Sequence, residues 1–151
     1  MYQNILVPLD GSLAASRGLT EAIKLAASLH ARIRLFHVVN EMVVISPELS
    51  TTAFTEVLGL LRTQGEKLLD EGEAAVRKAG VPVESKLTEA MGGQAGDHVV
   101  QEAGSWPAHL IVCGTHGRRG LRRMLMGSDA EHIVRHSPVP VLLVRADESA
   151  S

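Results

Sequence analysis

The chain has 151 residues, of which 45% are hydrophobic: enough for one globular domain with a real core, and too few for a second. A formal net charge of −2 excludes a global field that would attract nucleic acid or an anionic membrane, and 3% aromatic residues leave few of the stacking platforms that single-strand nucleic-acid binders use. The single cysteine, Cys113, excludes an internal disulfide framework and thiolate metal clusters and suits a reducing cytoplasm.

No basic stretch followed by an apolar run opens the chain, and no run approaches the ~18 apolar residues that a membrane span needs. The expectation is an unexported cytoplasmic protein with no membrane or nucleic-acid partner. Residues 1–146 read as one domain and 147–151 as a polar tail.

Ile5 to Leu9 is a short apolar run ending in turn and cap residues, Asp10-Gly11-Ser12, so a buried strand passes into a helix. From Ser12 to His30, Ala15, Leu19, Ala22, Ile23, Ala26 and Leu29 recur at helical spacing. Arg32 to Val38 alternates and then turns wholly apolar, a strand covered on both faces at its far end. After a connection from Asn40 to Ser50, Thr51 or Thr52 caps a long helix whose buried stripe reads as Val57, Leu60, Leu61, Leu68, Ala75 and Val76. Gly59, Gly65 and Gly72 weaken that helix by ~1 kcal/mol each relative to alanine.

Gly80-Val81-Pro82 stops it, and Val83 to Leu87 is a shorter, more polar strand suited to a sheet edge. A helix follows from about Gln94 to Ala103, with Val99 and Val100 inward. His109 to Cys113 is again an apolar strand, a helix opens at Ser128, and Val141 to Val144 is the last strand. Strands alternating with helices in this way predict an α/β fold, a single doubly wound, Rossmann-like, five-stranded parallel sheet. Ligands of such sheets bind beyond the carboxyl ends of the strands.

The loop between the last two strands carries Gly114, Gly117 and Gly127, with Ser128 at the start of the helix. Backbone N–H groups can approach phosphate oxygens where no Cβ obstructs them, and a helix N-terminus adds unpaired donors and a positive dipole end. The spacing G-x2-G-x9-G-S is neither a Walker A loop nor G-x-G-x-x-G.

With these residues the chain resembles the universal stress proteins, in particular the nucleotide-binding subgroup that carries this spacing. The opening NILVPLDGS and the closing RHSPVPVLLVR are similar to the family's first strand and last strand. The resemblance implies strand order 3-2-1-4-5 and an adenine nucleotide, ATP or its ADP and AMP relatives, as ligand. Gly114, Gly117, Gly127 and Ser128 would hold phosphates, together with the neighbouring Thr115, His116, Arg118 and Asp129. Pro8, Leu9, Asp10 and Val38 would frame ribose and base, and Asp10 could hold Mg2+ through water.

Each of these residues has a plainer reading. Asp10 is equally a turn or cap aspartate, Val38 core, and Arg118 with Arg119, Arg122 and Arg123 a solvated loop tip. His132 and His136, at helical spacing but without a third ligand, read as surface or core histidines, and Cys113 as a buried hydrophobe. Asp129 departs from the small apolar residue of many relatives and sets a carboxylate beside the phosphates.

The resemblance also implies a nucleotide-dependent regulator or sensor of stress. A homodimer is expected through Val139 to Val144, because an apolar edge strand tends to be paired or covered. Slow ATP hydrolysis or nucleotidyl transfer is the competing reading, with only Asp10 and Asp129 as candidate bases. A dimeric module that binds no nucleotide is the third.

Overall fold

A computed structural model describes residues 1–41, 47–115 and 127–146. Its elements are β1 (Asn4–Pro8), α1 (Leu13–Leu29), β2 (Arg32–Asn40), α2 (Thr51–Lys78), β3 (Val83–Ala90), α3 (Ala95–Ser105), β4 (Leu110–Gly114), α4 (Ser128–His136) and β5 (Val141–Val144). The strands form one five-stranded sheet in the order β3-β2-β1-β4-β5, every pair parallel, as the resemblance implied. No helix among the described residues is long and apolar enough to cross a membrane.

The period-2 geometry of a strand sends successive side chains to opposite faces, and both faces of the central strands are covered. Ile5, Val7, Ile33, Leu35, Leu110 and Val112 meet α1 and α2. Leu6, Phe36, Ile111 and Cys113 point the other way, against Val99 and Ala103 of α3 and Ile133 of α4.

α2 corrects the sequence reading at two points. Its cap is Ser50, whose hydroxyl accepts from the Ala53 N–H at 3.1 Å, and neither Thr51 nor Thr52. Its buried positions are Leu58, Gly65, Leu69, Gly72 and Val76, with Leu61 and Leu68 half-buried, whereas Val57, Leu60 and Ala75 are exposed. The helix thus turns two of its glycines to the sheet. A Cβ on Gly65 would lie 2.6 Å from His37 Cδ2, and one on Gly72 would lie 2.8 Å from Leu35 Cδ1. These glycines are contact surface, and a scan for apolar side chains passes over them.

The strand limits shift too: β3 runs on to Ala90, paired with β2 throughout, and lies at the sheet edge as expected. β4 begins at Leu110; His109 just before it still donates its N–H to Asn4 O at 2.8 Å, and its Nδ1 accepts from the N–H groups of Gln3 and Asn4 at 3.0 and 3.1 Å.

On the α3 face, β2 and β3 are bridged by charge. Glu102, 5% exposed, accepts from Arg34 and, at 2.8 Å, from Lys86. Arg34 also lies 3.2 Å from Glu84 and places its guanidinium carbon 4.8 Å from the centre of the Trp106 ring, while the Trp106 indole N–H donates to Glu84 at 2.9 Å. Burial raises the Glu84 pKa, but the Arg34 hydrogen bond and charge and the Trp106 donor outweigh it, so the carboxyl titrates below its ordinary value.

Among the described glycines the tightest approach is between α1 and β4. A Cβ on Gly114 would lie 2.4 Å from the carbonyl carbon and oxygen of Ala14, and one on Gly18 would lie 3.3 Å from the Gly114 nitrogen. Glycine at 114 is required by this helix–strand contact whether or not a ligand ever approaches.

Two consequences can be measured. Gly114→Ala must push α1 off β4, with an expected loss of roughly 3 kcal/mol or more in urea denaturation; Gly59→Ala, at a helical position whose Cβ meets nothing within 4 Å, should instead gain up to about 1 kcal/mol. A depressed carboxyl stabilises the fold above its unfolded pKa and loses that contribution as pH falls through the folded one. Trp106 fluorescence should therefore titrate in acid below the usual glutamate range, and Glu84→Gln should abolish that step.

Candidate functional site

β1 ends at Pro8, and the chain reaches α1 through Leu9 to Ser12. Asp10 makes that turn: its Oδ1 accepts from the Ser12 N–H at 2.9 Å, Gly11 takes φ +85°, and the Ser12 hydroxyl accepts from the Ala15 N–H at 3.1 Å as the α1 cap. The plain reading of Asp10 as a turn aspartate therefore holds, and it leaves Oδ2 without a partner among the described residues.

The turn borders a crevice of about 540 Å³ at the carboxyl ends of β1, β2 and β4. Every proposed site residue within the described stretches lines it: Pro8, Leu9, Asp10 and Val38 from one end, Gly114, Thr115, Gly127, Ser128 and Asp129 from the other. His116, Gly117 and Arg118, with Arg119, Arg122 and Arg123, lie outside the described residues.

Among the lining residues that the sequence reading missed are Phe36 and His37 on β2, and Ala95, Gly96 and Val99 on α3. Of these only the histidine, a polar residue inside the run LFHVV, carried a signal. A second cavity of about 550 Å³ adjoins the first at Asp10, Gly11, His37 and Val38 and runs along α2 past Gln64 and Lys67.

The base of the glycine loop is closed by its own backbone. The Thr115 N–H donates to Val144 O at 3.0 Å, and Thr115 O accepts from the Gly127 N–H at 2.6 Å. Gly127 is thereby engaged in holding the loop, and the donors aimed at the crevice are those of the α4 N-terminus. α1 and α2 carry side-chain caps from Ser12 and Ser50, whereas α4 has none, and its first intrahelical bond is made by Glu131 to Gly127 O at 3.0 Å. The N–H groups of Ser128, Asp129 and Ala130 precede that bond and are left at the positive end of the helix.

α3 also brings its N-terminus to the crevice, but carboxylates already occupy it. Asp97 Oδ2 accepts from the Gln94 N–H and Asp129 Oδ1 from the Gly96 N–H, each at 3.1 Å. Asp129 is thus turned toward the neighbouring helix. The other Asp97 oxygen lies 2.6 Å from His132 Nε2, and the His132 and His136 rings are 4.4 Å apart. Among the described residues no group of three His, Cys, Asp or Glu side chains could hold a metal ion. Cys113 is buried, and burial pushes its thiol up to about 12, so it stays protonated and inert at neutral pH.

On the β2 side the register of the ladder decides which backbone groups are free. Residues 32, 34 and 36 face β1, as the bonds Arg32 N–H to Gln3 O and Leu9 N–H to Phe36 O, at 2.9 and 2.8 Å, show. By the same parity the N–H and C=O of Val38 face the β1 side, one step beyond the Leu9 to Phe36 bond.

The Universal stress protein family pattern matches residues 1–145. The chain belongs to that family. Universal stress protein MJ0531 of Methanocaldococcus jannaschii is 30% identical over 148 residues, which cover 96% of this chain and 83% of the relative. UspA from Lactobacillus plantarum superposes with a TM-score of 0.82 at 25% identity, covering 95% of this universal stress protein and 98% of the other chain. A family member from Arabidopsis thaliana, At3g01520, solved with AMP bound, superposes with a TM-score of 0.71 at 18% identity, covering 98% and 94%.

Proposed function

We propose that this universal stress protein binds an adenine nucleotide of the ATP class in the crevice between β1 and β4, and that binding serves a regulatory or sensing role in the stress response. The observation that carries the reading is a pair of backbone sites without partners among the described residues, at the two ends of one crevice. At one end stand the Val38 N–H and C=O, at the other the uncapped N-terminus of α4 with the Ser128 hydroxyl.

Their chemistry fits the two ends of such a ligand. Adenine presents a ring-nitrogen acceptor beside an amino donor, the complement of a backbone N–H beside a C=O; guanine presents the reverse pair and is disfavoured. Phe36 and Val99 supply an apolar floor. The α4 amides and Ser128 suit a polyphosphate, and Gly117 and Arg118 are proposed for the same phosphates on the sequence pattern alone. Asp10 Oδ2 is the carboxylate at hand for Mg2+ when the ion accompanies the phosphates. The At3g01520 fold with AMP bound supports the ligand class.

Binding is favoured over turnover because Asp129 is tied to the Gly96 N–H of α3 and Asp10 keeps a single free oxygen, which the ion would claim. The free thiol suits the cytoplasm.

The protein is further proposed to pair through β5, an edge strand whose Leu142 is 41% exposed.

Isothermal titration should show ATP binding tighter than GTP binding, and a titration without heat or competition would refute the reading. In Ser128→Asp the affinity for ATP should fall by roughly tenfold or more while Tm holds or rises, since an acid in the first helical turn suits the dipole but repels phosphate. For the pairing, Leu142→Lys should shift the sedimentation profile from dimer to monomer; an unchanged profile would remove β5 from the interface.

A further inference from the structure

The ladder between β1 and β2 stops one rung earlier than the chain allows. Leu9 N–H donates to Phe36 O at 2.8 Å, and the next rung of a parallel ladder would be Val38 N–H to Leu9 O. That carbonyl is instead met by a side chain: His37 Nδ1 lies 2.7 Å from Leu9 O. A carbonyl oxygen only accepts, so Nδ1 carries the proton, and the ring tautomer is set by the strand that it touches.

The ring is held from its far side as well. A Cβ on Gly65 would lie 2.6 Å from His37 Cδ2 and 3.0 Å from Nε2, so the imidazole fills the notch that the missing side chain leaves in α2. The backbone acceptor in front and the helix behind leave the ring one seat.

We propose that His37 is a positioning residue. By capturing the Leu9 carbonyl it ends the β1–β2 ladder and keeps the Val38 N–H and C=O available to the base of the ligand. The inference rests on the adenine-nucleotide reading for its purpose, but not for its mechanism, which belongs to the free protein. It implies that base selectivity is controlled from α2, through Gly65 and the ring, by residues that need not touch the nucleotide.

The free protein provides the first arm of the test. Amide exchange followed by NMR should find the Val38 N–H fast in the native chain. In His37→Leu, which keeps the bulk and loses the donor, the released Leu9 carbonyl should accept from Val38 and slow its exchange at least roughly tenfold. His37→Asn, whose amide nitrogen reaches the Nδ1 position, should restore the native rate. Gly65→Ala, which displaces the ring without altering it, should mimic His37→Leu and serves as a second probe if that variant folds poorly.

The second arm is the ratio of GTP to ATP dissociation constants, which should contract roughly tenfold in His37→Leu and recover in His37→Asn. A merely structural clasp between the strands would lower Tm and weaken both nucleotides alike. Val38 exchange unchanged in both His37→Leu and Gly65→Ala overturns the proposal. Val38 exchange that responds as expected in a protein that binds no nucleotide upholds the positioning role and overturns the adenine reading alone.

Discussion

Between Gly114 and Ala14 there is room for a hydrogen atom and nothing more. This contact seats the first turn of α1 directly against the end of β4, so the chain leaving β1 must change from strand to helix within Leu9 to Ser12. Asp10, Gly11 and Ser12 supply an Asx turn, a left-handed residue and a cap in consecutive positions. β1 therefore ends at Pro8, the Leu9 carbonyl that follows is met by His37, and β2, with β3 beside it, runs on to Asn40. A crevice floored by the ends of strands and bordered by a free strand edge follows from that difference in length, before any ligand is considered.

The helix N-termini are then divided by what fills them. α1 and α2 are closed by serines of their own sequence, and α3 by Asp97 together with a carboxylate lent from α4. α4 reaches the crevice with no side-chain cap among the described residues. Asp129, which in sequence looked like a carboxylate opposing phosphate, faces the dipole of α3, where its charge is favourable. The apparent conflict between an acidic residue and an anionic ligand resolves into a division of labour between two neighbouring helices.

The strands and the alternation of strand and helix were legible because they rest on local periodicity: Ile5 to Val7 and Leu110 to Cys113 announce buried strands whatever surrounds them. The buried face of α2 was not. Gly65 and Gly72 are its closest contacts, and a residue that packs by lacking a side chain carries no hydrophobic signal. The same blindness applies to Gly114, read as room for a ligand and found to make room for a helix. Within the site, residues flanking strand ends and loop glycines could be named from motifs. His37 and Gly96 could not, because their roles arise from pairings, β1 with β2 and α3 with α4, that no local pattern encodes.

α3 forms the wall of the crevice opposite the Asp10 turn, and it is tied down at both ends. Its N-terminus is bound to α4 through Asp129 and to His132 through Asp97. At its C-terminal end Glu102 meets Arg34 and Lys86, and the Trp106 indole meets Glu84. Partly buried ion pairs of this kind add little net stability over an apolar packing, since desolvation offsets most of the attraction, but they are strongly directional. Their consequence is placement: Ala95, Gly96 and Val99 are fixed relative to β2 by contacts that lie well outside the crevice. The α3 side of the crevice is thus set by the protein's own contacts before any ligand is considered.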